Sequence, residues 1–92
     1  MIRYGRAYDE GMRREITEAR YKGVIMELEE HEDLVFIYGI VFSNKGKGEC
    51  QEMIDLLRED FKGKRLCSSP PVSKAAEHNL DKKGVNYRDF MR

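Results

Sequence analysis

The stretch from Leu34 to Leu57, LVFIYGIVFSNKGKGECQEMIDLL, leaves the chain few choices. Leu34 to Phe42 is apolar at successive positions, the pattern of a central strand covered on both sides. SNKGKG then makes a tight turn, after which Cys50, Met53, Ile54, Leu57 and Phe61 recur at helical spacing with charged residues opposite. A strand that empties through glycines onto a helix N-terminus gathers unpaired backbone N–H groups at the positive pole of the helix dipole. Such a turn suits an anion. Gly39, inside the strand, marks a bulge or a close approach by another backbone or a ligand.

The flanking segments build a small sheet around this unit. Met1 to Tyr8 alternates loosely and reads as an opening strand, broken by Asp9-Glu10-Gly11. Met12 to Tyr21 is divided: Met12, Ile16 and Ala19 fit a helical stripe, whereas Thr17, Ala19 and Tyr21 fit one face of a strand. Helix is the expectation. Val24 to Glu30 reads as a strand joined to the next by His31-Glu32-Asp33, a connector of hairpin length. Lys62-Gly63 ends the long helix, and KRLCSS (64–69) makes a short strand stopped by Pro70-Pro71. Ser73 is placed to cap a last helix through Lys83, ended by Gly84, and Val85 to Phe90 forms a closing strand. The strands on either side of the long helix should lie parallel, joined by a right-handed crossover. The expected fold is α/β (α+β): a mixed, mostly antiparallel sheet with one parallel strand pair. It forms one domain over 1–92 with a reduced N-terminal element at 1–23.

Composition narrows the function classes. Lys plus Arg (17) balances Asp plus Glu (17), so no net field draws in nucleic acid or an anionic membrane. Lys62, Lys64, Arg65, Lys82 and Lys83 read as solvated residues at helix ends rather than a nucleic-acid face. Cys50 and Cys67 lack a paired metal-ligand spacing, and His31 and His78 stand far apart, so no metal site is expected. Gly-x4-Gly-Lys-Ser/Thr spacing is absent, which sets a P-loop aside. MIRYGRAYDEG has no apolar core and the longest apolar run is too short to span a bilayer. A reduced, cytoplasmic protein is expected.

KGKGECQEMIDLL resembles the acetyl-coenzyme A loop and helix of the GNAT-type N-acetyltransferases. That family carries Arg or Gln, two residues, Gly, one residue, then Gly or Ala on a strand-to-helix turn. Lys45 stands in the Arg/Gln slot, Gly48 in the first Gly slot and Cys50 in the Gly/Ala slot, so two of the three depart in type. KRLCSS is similar to the family's next strand, and AAEHNLDKKGV resembles its frequent ending AAIRLYEKLGF through Ala75, Ala76, Asp81, Lys82 and Gly84. The resemblance covers about two thirds of the chain, Val24 to Val85. It implies a minimal, N-terminally truncated member that binds acetyl-coenzyme A and acetylates an amine.

On that resemblance, Val41 and Phe42 take the pantetheine arm through their backbone, and amides from Gly46 through Gly48, Glu49, Cys50 and Gln51 cradle the pyrophosphate. Lys45 and Lys47 supply cations, and Ser73 joins the set from the last helix. Glu49 must point away from the phosphates. Glu27 or Glu29 is the implied base, and Tyr87 the residue that could replace the family's helical Tyr, whose slot holds Leu80. The alternative is a non-catalytic GNAT-like module that contacts another protein or a second copy of itself. The missing hydroxyl at Leu80 and the carboxylate of Glu49 favour it.

Overall fold

The structure is a computed structural model and describes residues 1–42 and 48–90. It is an α+β domain with a five-stranded mixed sheet, two helices and a terminal 3-10 turn. Strands β1 (Arg3–Asp9), β2 (Arg14–Tyr21), β3 (Val24–Glu30) and β4 (Leu34–Phe42) precede helix α1 (Glu49–Asp60). Strand β5 (Arg65–Ser68) and helix α2 (Lys74–Lys82) follow. The strands lie in sequence order, β1-β2-β3-β4-β5, with every pair antiparallel except β4 and β5.

Residues 14–21 form a strand, not the expected helix. Ala19 stands between Tyr4 of β1 and Met26 of β3, fully buried, so β2 is paired along both edges. Two ladders and a covered face outweigh a short helical stripe that would have packed alone. The turns agree with the strand. Tyr21 pairs with Val24 across a two-residue Lys22-Gly23 loop, and Lys22 takes the left-handed conformation (φ 52°) of a tight hairpin.

One face of the sheet carries the core. Ala19, Val24, Met26, Leu28, Val35, Ile37 and Leu66 pack with Cys50, Met53, Ile54 and Leu57 of α1 and Leu80 of α2. Both crossovers, β4–α1–β5 and β5–α2–Asn86, advance across the sheet in one direction. Right-handed connections therefore place both helices on the same face. Their contact is polar: Gln51 donates to Asn79 (3.0 Å) and Lys83 to Asp55 (2.8 Å). The expectation that β4 is covered on both sides is corrected. Among the described residues no helix covers the second face, and Val41 there is 61% exposed. The apolar residues of that face cover one another instead: Phe36 and Tyr38 lie ring to ring at 4.7 Å, and Ile16 is buried.

The helix ends follow their local signals. Ser73 caps α2 by accepting from the N–H of Ala76 (3.1 Å), and Gly63 and Gly84 hold left-handed conformations after each helix. The closing strand does not form. Asn86 makes one parallel bridge to Cys67, accepting from the N–H of Ser68 (2.9 Å), and Arg88–Phe90 then turns as a 3-10 helix. Leu57, fully buried on the inner side of α1, gives a direct check on this core. Leu57→Ala should cost about 3 kcal/mol. Thermal unfolding should show this as a fall of roughly 4–8 °C for each kcal/mol lost.

Candidate functional site

The junction where β4 hands over to α1 is shaped by one extra residue. The core-facing residues of β4 are Val35, Ile37, Ile40 and Phe42, which step by two, then three, then two. A strand alternates faces, so a step of three requires an inserted residue if Ile40 and Phe42 are to stay on the core side. The register supplies it. Leu28 pairs with Ile37 and Glu27 with Gly39, leaving Tyr38 as the bulged residue.

The bulge coincides with the end of the parallel pair. Rungs run from Leu34↔Arg65 to Ile37↔Ser68. Ser69 then makes two last ties, N–H to the Ile37 carbonyl and Oγ to the Tyr38 carbonyl, both 2.9 Å. Pro70-Pro71 follows and cannot extend the ladder. Beyond that point Gly39–Phe42 pairs only with β3 among the described residues. Every second residue there turns its N–H and C=O toward the side that β5 has left.

The N-terminus of α1 follows β4 in the chain, and its first turn reaches the β2–β3 hairpin through Glu52. Gly48 is its N-cap residue with φ 73°, and no side chain among the described residues caps the first turn. The carboxylate of Glu52 is drawn away: it accepts from Tyr21 (3.1 Å) and from Lys22 (3.2 Å), and the Lys22 hydrogen bond holds its pKa below the usual carboxylate range. Cys50 is buried, and burial pushes its thiol up to about 11, so it is neither a thiolate nor a nucleophile near neutral pH. Gln51 spends its side chain on Asn79, and Ser73 spends its hydroxyl on capping α2. Their backbone amides are what remain for a ligand. Val41 is exposed on the open face, whereas Phe42 packs against the core. Lys45, Gly46 and Lys47, expected to cradle phosphate, lie outside the described residues.

The catalytic candidates separate. Glu27 sits on the open face at the bulge: a Cβ on Gly39 would lie 3.1 Å from its Oε1, so the carboxylate rests over the glycine. It has no hydrogen-bond or ion-pair partner among the described residues. Glu29 is fully engaged. It pairs with Arg14 (2.8 Å) and His31 (2.8 Å) and accepts from the Tyr38 hydroxyl (3.0 Å). All three contacts tie this carboxylate to its neighbours in the sheet. Tyr87, expected to reach back toward the junction, is instead buried and donates to Asp81 (2.9 Å) in the last turn of α2, at the opposite end of that helix from Ser73. Burial raises its pKa above the ordinary phenol value, aided by the Asp81 hydrogen bond.

Sequence reasoning missed the clamp on Tyr38. Its hydroxyl accepts from Arg14 (2.5 Å) and donates to Glu29, the Arg14 guanidinium lies 5.1 Å from its ring centre, and its carbonyl is tied to Ser69. Burial and the Glu29 hydrogen bond raise the phenol above its ordinary value, with Arg14 opposing, so it stays protonated. Gly39 was the available signal for an irregular strand, and the apolar run around it does not single out the extra residue. Nothing in sequence spacing placed Arg14 beside it.

No group of three or more His, Cys, Asp or Glu among the described residues is arranged to hold a metal, and no helix there is long and apolar enough to cross a membrane. No family model, curated protein or solved structure matches the chain.

Proposed function

We propose that the chain binds acyl-coenzyme A at the β4–α1 junction and transfers the acyl group to an amine, as a minimal GNAT-like N-acyltransferase. The observation that carries this reading is the bulge at Tyr38, where β5 stops pairing and four residues of β4 keep an edge that no described strand covers. A pantetheine arm is thin and amide-bearing, so it can add to that edge as a partial strand. The first turn of α1 then receives the phosphates. The core face is filled by both helices, so an acceptor amine approaches from the other face, where Glu27 lies over Gly39 and can take its proton.

A second reading, a GNAT-like module that contacts another protein or a second copy without catalysis, is favoured by a specific fact. Glu29 and Tyr87 are committed to structural partners, and the family's helical Tyr is replaced by buried Leu80.

Calorimetry with acetyl-coenzyme A distinguishes the two. The acyltransferase reading expects a dissociation constant of about 1–100 µM, that is, roughly 5.5–8 kcal/mol. No heat and no thermal shift at millimolar ligand would leave the interaction module. Gly48→Asp sharpens the test. No atom lies within 4 Å of the position a Cβ would take there, so the side chain fits, although φ 73° strains it. The strain of about 1 kcal/mol is partly offset by a carboxylate at the helix N-terminus, worth about 0.3–1 kcal/mol. Stability should therefore change little. The same carboxylate near a bound phosphate should cost about 1.5–3 kcal/mol, a loss of roughly 10–100-fold in affinity.

A further inference from the structure

We infer a second anion site, for a small phosphate monoester, in the cleft beside the first half of β5, at the end of that strand away from the β4–α1 junction. The cleft has a volume of about 540 Å³. Arg58, Lys64 and Arg65 line it with Leu66, Cys67 and Asn86, and no carboxylate does.

Three observations build the site. Arg58, in the last turn of α1, has no hydrogen-bond or ion-pair partner among the described residues. Arg65 is held only loosely: its contact to Asp33 is 3.7 Å, with the two side chains 71% and 75% exposed, so an incoming dianion displaces it readily. The third is a backbone donor. Arg65 and Ser69 point their N–H groups at β4, to the carbonyls of Asp33 (3.1 Å) and Ile37 (2.9 Å), whereas Ser68 points outward to Asn86 (2.9 Å). By the alternation of a parallel ladder, Leu66 turns its N–H to the same outer side, where no described acceptor meets it.

Two guanidinium-bearing residues and one outward peptide N–H on the lining of a single cleft suit the several oxygens of a phosphate better than a single carboxylate. Lys64 takes no direct part, because Glu30 and the His31 carbonyl (both 2.6 Å) already hold its ammonium. The volume exceeds what a bare phosphate fills, and buried Leu66 and Cys67 floor the remainder, which leaves room for an organic group attached to the phosphate.

Titration of the 15N-labelled chain with ribose 5-phosphate, and separately with inorganic phosphate, tests the site. The Leu66 amide should move downfield and saturate with the ester, and inorganic phosphate should bind about tenfold more weakly. Arg58→Ala and Arg65→Ala should each weaken the ester at least fivefold, while Arg58→Lys restores only part of the loss because the fork is gone. Arg58 is exposed, so its variants should melt close to the wild type. No movement of Leu66 at tens of millimolar ester, or a movement that Arg58→Ala leaves unchanged, overturns the site. Equal affinity for the two ligands overturns the assignment to an ester. Neither result bears on the β4–α1 junction, whose reporters are the amides of Gly39–Phe42.

Discussion

Deleting Tyr38 should yield a folded protein that no longer binds acyl-coenzyme A. The bulge is a single inserted residue, and the register on either side of it is already consecutive on β3: Leu28 opposite Ile37, Glu27 opposite Gly39. Removing Tyr38 joins those rungs into an uninterrupted ladder. Val35, Ile37, Ile40 and Phe42 then follow one another at steps of two, all still facing the helices, so the core is kept. What disappears is the kink that separates Gly39–Phe42 from β5, together with the ties to Arg14, Glu29 and Ser69. Losing these ties should cost about 2 kcal/mol, at about 0.5–1.5 kcal/mol for each hydrogen bond. Cross-strand amide contacts will report whether the ladder has closed, and calorimetry whether the ligand is lost. Normal binding by a variant with a continuous ladder would show that the bulge does not make the site.

Glu27→Gln should leave acetyl-coenzyme A affinity within about twofold and lower the rate of transfer by roughly 10²–10⁴, the usual worth of a positioned base. The amide keeps the shape of the carboxylate over Gly39 but cannot accept a proton, so binding and chemistry are separated in one variant. Glu29→Gln is the control. Its carboxylate is held by Arg14, His31 and Tyr38, so its loss should appear first as lowered stability. Transfer unaffected by Glu27→Gln would place the base elsewhere. A wild-type chain that binds the thioester yet transfers nothing would favour the non-catalytic module.

What could be read in advance follows from how local each signal is. Helix α1 was legible because Cys50, Met53, Ile54 and Leu57 repeat at its period, and all four are buried. The Ser73 cap and the glycines after each helix were legible because those are contacts within one turn of chain. Residues 14–21 misled because their stripe is ambiguous, and the partners that settle it lie at Tyr4 and Met26, outside any local window. The partner of Tyr87 was out of reach for the same reason: Asp81 takes its hydroxyl from a helix whose packing no spacing rule supplies. Gly39 correctly pointed to an irregular strand. The extra residue, however, is Tyr38, and a run apolar at Ile37, Tyr38, Ile40 and Val41 alike offers no spacing that singles it out. The candidate site was thus visible as a strand, a turn and a helix. The clamp of Arg14, Glu29 and Ser69 needed three dimensions.

The most direct measurement is a titration of the 15N-labelled chain with acetyl-coenzyme A, read amide by amide. Binding at the junction predicts saturating shifts at Gly39–Phe42 and at Gly48–Gln51, with one micromolar dissociation constant for all of them. Shifts confined to other residues, or none at millimolar ligand, would contradict it.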